Sequence, residues 1–280
     1  MLIWDFNSRI LQLGRFELRW YGVLFALMLM GAYHLWRWQI TRSGRSEAVA
    51  ETFLTAGVIA VIGGSRLGHV LFYEPQKYLA DPLEILFVWR GGLASHGATI
   101  GLFIARVWFS RKHAFPFIDV MDRISFSACC GVIMVRLGNF ANSEIVGRVT
   151  DAVSAPFAVK FVRCEQDRGL VRIAGDFAEV PWRHPAQLYE AAIGITVIAV
   201  LYAVDRRFGE RRPRGLLAAI FLTLYFGGRV VTEFFKEFEG LKASESTFTM
   251  GQYLSAPLAL AGLCMFAWVA VNAVRKGRSA

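Results

Sequence analysis

Val135–Arg148 reads VRLGNFANSEIVGR. An apolar run of about membrane length, residues 119–136, ends here in an arginine, two asparagines and a glutamate. Arg136 stands at the end of the run, and Gly138 is a helix-ending signal. Asn139, Asn142 and Glu144 are therefore expected on the turn that leaves the apolar layer. Their amides and carboxylate would either cap exposed backbone or bind polar hydroxyls.

Similar runs lie near residues 20–39, 48–73, 93–110, 186–204, 215–235 and 250–274, each long enough to cross about 30 Å of hydrocarbon. The chain has 280 residues, 55% of them hydrophobic, and its mean hydropathy is +0.41. That apolar content is spread too evenly to be one buried core. The expected architecture is an all-α integral membrane protein of about seven transmembrane helices. We read residues 1–280 as a single polytopic domain, with 137–185 inserted as a small outer head. Within that insertion FAVKFV (157–162) and GLVRIAG (169–175) read as short strands. Pro82 to Trp89 reads as an amphipathic helix lying in the interface. The first run is retained, because no small-residue cleavage site follows it.

The net charge of +9 is topological and does not indicate nucleic acid. Basic residues crowd the connections after runs one, three, five and seven, including Arg206, Arg207, Arg211, Arg212 and Arg214. By the positive-inside rule these connections are cytoplasmic, the N-terminus is outside and the C-terminus inside. Cys129, Cys130, Cys164 and Cys264 form no disulfide pattern.

With that topology, polar residues from most of the runs converge on one outer level: Tyr21, Arg66, His96, Arg136, Gln187, Tyr189, Glu190, Arg229, Glu233 and Gln252. An ionisable group in hydrocarbon costs roughly 2.5–3.5 kcal/mol, so each arginine needs a partner or a wet cavity. Glu190 and Glu233 can pair with two of the three arginines. The remaining positive charge suits an anion, and guanidinium forks match phosphate best. A phospholipid headgroup is the natural candidate. Plainer readings stand beside this one. A single arginine near a helix end can snorkel, His96 between glycines can hold backbone, and Tyr21 can belong to an aromatic belt. Gly63–Gly64 and Gly227–Gly228 can permit close helix packing, and Asp119 can complement a helix dipole.

Arg136, Gly138, Asn139, Phe140, Asn142, Glu144 and Gly147 coincide with the pattern G-x-R-x-G-N-F-x-N-x-E-x-x-G, and the sequence resembles the bacterial prolipoprotein diacylglyceryl transferase family. Further blocks follow in order: WYG (20–22), GGSRLGHVLFYEP (63–75), GGLASHG (91–97), RHPAQLYE (183–190), GRVVTEFF (228–235) and MGQYLSAP (250–257). The chain departs from the pattern at Met134, at Ser143 where glycine is usual, at Ala94–Ser95 and at KEFEG (236–240).

The resemblance implies a multi-pass enzyme of the bacterial inner membrane, with its site toward the outer face. It would transfer the diacylglyceryl group of phosphatidylglycerol to the lipobox cysteine of a prolipoprotein signal peptide and release glycerol phosphate. It also implies catalytic roles for His96, Arg136, Arg229 and Glu144. Tyr21, Arg66, Asn139, Asn142, Gly147, Gln187, Tyr189, Glu190 and Glu233 would bind substrate. His96 is the candidate base, and Arg136 and Arg229 the candidate phosphate ligands. No metal or other cofactor is expected, since neither HExxH nor a Cys/His/Asp cluster occurs. An anionic-lipid transporter, or a lipid-binding membrane protein without catalysis, would also gather arginines; a transporter would be expected to carry internal repeats.

Overall fold

The apolar runs become helices in the structure, a computed structural model that describes residues 2–14, 16–88, 91–92, 94–151, 155–167, 177–238 and 246–278. In chain order the elements are β1 (Leu2–Trp4), β2 (Arg9–Leu13), β3 (Phe16–Arg19), α1 (Trp20–Thr41), α2 (Glu47–Phe72), α3 (Pro75–Ala80), α4 (Ser95–Lys112) and α5 (Phe117–Ala141). Then follow β4 (Val159–Phe161), α6 (Val162–Asp167), β5 (Trp182–Arg183), α7 (Ala186–Phe208), α8 (Leu216–Phe221), α9 (Gly227–Thr232) and α10 (Met250–Arg278). A π-helical turn, Leu222–Phe226, joins α8 to α9.

The chain is a mostly helical membrane protein. Among the described residues five segments are long and apolar enough to span by length and composition alone: Glu47–Phe72, Phe117–Ala141, Ala186–Arg211, Leu216–Phe235 and Met250–Arg275. The other two expected runs are helical as well, as α1 and α4, and are less apolar. Helix α1 carries Tyr33, His34, Arg37 and Gln39 in its second half, and α4 carries His96, Arg106, Arg111 and Lys112. Of the expected interfacial helix Pro82–Trp89, Pro82–Leu86 forms a 3-10 turn after α3, a proline opening each, and Trp89 lies outside the described residues.

Two compact units are present, one of Met1–Ala32 with Ser125–Ala280 and one of Tyr33–Ile124. In the first, β1 pairs in parallel with β4, and β4 antiparallel with β5. This small sheet lies within and beside the expected 137–185 insertion, and residues 169–175, also expected as a strand, fall outside the described residues. It is bound to the end of α5: Trp4 donates its indole N–H to the Phe140 carbonyl at 3.1 Å and packs on the Phe140 ring at 4.5 Å. Phe161, Val159 and Val146 complete that core. β2 and β3 form a separate hairpin that turns at Gly14, whose φ is +60°.

The second unit is organised by contact of α2 and α4 backbones. A Cβ on Gly64 would strike the Gly97 carbonyl, and one on Gly97 would strike the Gly64 carbonyl, as close small-residue packing requires. Gly63, by contrast, faces open space. At the other end of these helices Trp36, Phe53 and Phe109 interlock with ring centroids 4.6 to 5.4 Å apart. Asp119 lies in the first turn of α5, as its dipole reading expects, 3.6 Å from Arg123.

Candidate active site

Helices α5, α7 and α9, with the 3-10 turn Glu233–Phe235 that follows α9, bring four long charged side chains of the first unit together. Arg136 Nη2 lies 2.9 Å from Glu190 Oε2, and Arg229 Nε lies 3.5 Å from the same oxygen. One carboxylate thus serves two guanidinium groups. It is almost wholly buried, 1% exposed, while Arg136 and Arg229 keep 11% and 22% of their side chains exposed. Among the described residues Glu190 Oε2 and Arg229 Nε have no hydrogen-bond partner, so these are charge contacts without donor–acceptor alignment. Arg136 spends Nη1 on Asn139 Oδ1 at 3.3 Å.

Glu233 extends the cluster. Its Oε1 is 3.6 Å from Arg229 and 3.5 Å from Lys236, and its Oε2 accepts the Thr249 hydroxyl at 2.8 Å. Thr249 is also the N-cap of α10. Its hydroxyl accepts from the Gln252 N–H at 3.1 Å, while Gln252 Oε1 accepts from the Thr249 N–H at 3.0 Å. This reciprocal capping box fixes the helix start beside the carboxylate. The next residues leave room for it, since a Cβ on Gly251 would overlap Glu233. Among the described residues the cluster holds three cations, Arg136, Arg229 and Lys236, against two carboxylates, Glu190 and Glu233.

Helix α5 runs three residues beyond Gly138, so that glycine does not end the helix. It makes room for Tyr21, whose ring Cδ2 would lie 2.8 Å from an added Cβ. Asn139 is consequently helical and faces Arg136. The helix then closes on backbone bonds: Asn142 N–H to Gly138 O at 3.0 Å, Ser143 N–H to Phe140 O at 3.0 Å and Glu144 N–H to Asn139 O at 2.9 Å. Ser143 and Ile145 take left-handed φ of 55° and 57°. This turn leaves Glu144 exposed, with Asn142 Nδ2 donating to its carboxylate at 3.2 Å and Gln187 Nε2 donating to its carbonyl at 2.6 Å.

Gly147 lies between two neighbouring segments. Its N–H reaches His184 O at 2.9 Å, and a Cβ would overlap His184 and the Phe235 carbonyl. Tyr189 hydroxyl and His184 Nδ1 are 3.1 Å apart, and both rings pack on Phe235. His184 precedes α7 and lies outside the spans; burial holds its pKa below the usual histidine range.

Arg66 and His96 belong to the second unit. Arg66 is 3% exposed and surrounded by carbonyls. It donates to Ile85 O at 2.9 Å, Gly91 O at 2.6 Å and Gly92 O at 3.2 Å, and also to Glu84 O. The Tyr78 ring lies 4.9 Å from its guanidinium carbon. These bonds tie the 84–92 connection to α2 and leave the fork committed to backbone. His96 is exposed in the first turn of α4, stacked on Tyr73 at 5.6 Å and edge-on to Phe72 at 5.9 Å.

Thr249, Gly251 and Lys236 are members of the charge cluster that sequence reasoning missed. The Thr249-x-x-Gln252 capping box ahead of an apolar run was the available signal. No signal marked Lys236, which appeared only within the departing stretch KEFEG (236–240).

Comparison with known proteins points one way. The family model described as "Prolipoprotein diacylglyceryl transferase" matches residues 8–268. The chain is 36% identical over 266 residues to the phosphatidylglycerol–prolipoprotein diacylglyceryl transferase of Tolumonas auensis, covering 95% of this chain and 96% of the relative. It is 38% identical over 285 residues to the Porphyromonas gingivalis protein of the same name, covering 98% and 95% respectively. The Cupriavidus necator protein of that name is 38% identical over 273 residues.

Proposed function

The chain belongs to the prolipoprotein diacylglyceryl transferase family, and from that membership we propose that the Arg136–Glu190–Arg229–Glu233 cluster is where a diacylglyceryl group leaves phosphatidylglycerol for a prolipoprotein cysteine. The enzyme is a multi-pass membrane transferase. Its substrates on this reading are phosphatidylglycerol and the lipobox cysteine of a prolipoprotein signal peptide, met at the outer face of the bacterial inner membrane. The basic residues at the C-terminal ends of α1, α4, α7 and α10 support that orientation.

In the reaction the cysteine sulfur attacks the glycerol carbon that carries the phosphate ester. The S–C bond forms, the C–O bond breaks, and the electron pair leaves on the phosphate oxygen as glycerol phosphate. The thiol proton is lost to a base before or during attack, because the thiolate is the nucleophile. Charge therefore grows on the phosphate as the bond breaks. Arg136 and Arg229, both partly exposed and neither locked to Glu190 by an aligned hydrogen bond, supply cations that can turn toward it. Glu190 and Glu233 hold them in place beforehand, so the field is preorganised. Binding that strengthens as the phosphate departs lowers the barrier, whereas uniform binding does not.

Asn139 steadies Arg136, and Gln187 holds the turn that carries Asn142 and Glu144 to the exposed edge. Gly147 is the close-contact point of that support, and Tyr189 braces it through His184. Tyr21 packs on the end of α5 at Gly138 and orients the residues around Arg136. His96 is the proposed base; its family resemblance supports this, and its exposure leaves the imidazole open to a thiol.

The observation that carries the proposal is one buried carboxylate shared by two partly exposed arginines in a cluster of three cations and two carboxylates. The test is to incubate the purified protein with phosphatidylglycerol and a lipobox peptide. Peptide mass gain of one diacylglyceryl group and glycerol phosphate in equal amount are expected, and neither with a serine in place of the lipobox cysteine. Bound lipid with no product would overturn the proposal in favour of lipid binding alone.

A further inference from the structure

Helix α7 carries Glu190 near its start and Asp205 near its end, 15 residues later, which is about 22 Å along the axis. Beyond that second end lies a cavity of about 600 Å³, lined among others by Arg211, Arg212, Arg214, Trp268 and Asn272. Its size is that of a small-ligand site, and it shares no residue with the cluster around Glu190.

Arg212 makes this cavity more than a surface dent. Its side chain is 3% exposed and lies 3.1 Å from Asp205, which is 0% exposed. All its recorded bonds use one nitrogen: Nη1 donates to Asp205 Oδ1, to Gly209 O at 3.0 Å and to Glu210 Oε1 at 3.4 Å. Nε and Nη2 are buried with no hydrogen-bond partner among the described residues. Two unpartnered donor nitrogens on a buried guanidinium are costly, and such groups call for a missing ligand or ion. Exposed Arg211 and Arg214 add two more cations to the lining. Trp268, 48% exposed, adds the amphipathic ring typical of the depth where acyl chains meet headgroups.

We propose that this cavity binds the phosphate headgroup of an anionic phospholipid, at the opposite end of α7 from the diacylglyceryl-transfer site. Arg212, Arg211 and Arg214 provide the donors for phosphate oxygens, Asn272 provides a neutral polar contact, and Trp268 lies against the upper acyl chain. A cluster of basic residues at a membrane surface attracts anionic lipid; here the buried arginine gives that attraction a fixed address.

The test uses the full-length protein in a neutral detergent, melted with dioleoyl phosphatidic acid, dioleoyl phosphatidylcholine or inorganic phosphate. Phosphatidic acid is expected to raise Tm by about 3–5 °C, phosphatidylcholine and inorganic phosphate by less than about 1 °C. Arg136→Gln should keep more than half of the phosphatidic acid shift, because that arginine belongs to the other site and can account only for the lipid bound there. The double variant Arg211→Gln/Arg214→Gln should lose at least half of it, and so should Asn272→Leu, which fills the cavity with an apolar side chain. The proposal fails if both variants respond as the wild type does, or if Arg136→Gln abolishes the shift. It also fails if phosphatidylcholine matches phosphatidic acid. An equal shift with inorganic phosphate alone would replace the lipid by a free anion and likewise overturn it.

Discussion

Arg66 and Arg136 look alike in the sequence: each is a lone arginine in an apolar helix, in a glycine-containing motif, at the same expected depth. The structure gives them different work. Arg66 is enclosed by four carbonyl oxygens of one connection, which satisfy a cation without changing its charge. Arg136 faces a carboxylate that it shares with Arg229, and it remains partly exposed. Carbonyl partners make an arginine a clasp, whereas a shared carboxylate holds it in place and leaves donors for an incoming anion. Charge and depth do not separate the two cases; the identity of the partner does.

The contrast is broken most directly by removing each charge. Arg136→Gln should lower kcat/KM about 10²–10³-fold, the effect of deleting one donor to a developing anion, in protein that still folds. A loss under tenfold in a steady-state transfer assay would put the phosphate contact elsewhere. Arg66→Gln should instead strand several carbonyls and cost about 3 kcal/mol or more of stability. The expected readout is a lowered Tm, with near-normal activity per folded molecule; the reverse pattern would make Arg66 a substrate ligand.

Smaller changes sharpen the same comparison. Gly97→Ala should cost about 1–3 kcal/mol, because the new methyl meets the Gly64 carbonyl of the helix that carries Arg66. Thermal melting checks this, and an unchanged Tm would mean that α2 and α4 can separate freely. Ser143→Gly should gain about 0.5–1 kcal/mol by relieving a left-handed φ and removing a buried hydroxyl without a partner.

The smallest effect concerns pH. Burial depresses the His184 pKa, so the folded protein binds fewer protons than the unfolded chain just below the ordinary histidine value. Stability from this residue is therefore complete above about pH 6.5 and falls as pH drops through the window beneath it. His184→Gln should flatten the Tm profile between pH 7 and 5.5; an unchanged slope would mean that other groups set it.

Much of this fold is legible in the sequence because hydrophobic length is a strong signal. The runs at 48–73, 186–204 and 250–274 become α2, α7 and α10 with shifted ends, and FAVKFV contains β4. What stayed hidden depends on partners distant in sequence. β1 has three residues and exists because β4 pairs with it. Gly138 resembles a helix stop, yet α5 continues because the glycine admits Tyr21 from another segment. The π-helical turn before Arg229 has no residue code.

The site was legible in the same uneven way. Arg136, Glu190, Arg229 and Glu233 were read as one level of charge, and the structure joins them. Lys236 and Thr249 were missed because their parts are set by the carboxylate of Glu233. Glu144 reads as a capping acid in the motif, but backbone bonds cap the helix and leave its carboxylate at the surface.

The central claim, that partner type separates a site arginine from a structural one, is tested most directly by measuring Tm and transfer rate per folded molecule for Arg136→Gln and Arg66→Gln side by side. The assay would use purified protein, phosphatidylglycerol and a lipobox peptide. The account predicts a large rate loss with small Tm change for the first, and a large Tm loss with small rate change for the second. Equal rate losses at equal stability would contradict it.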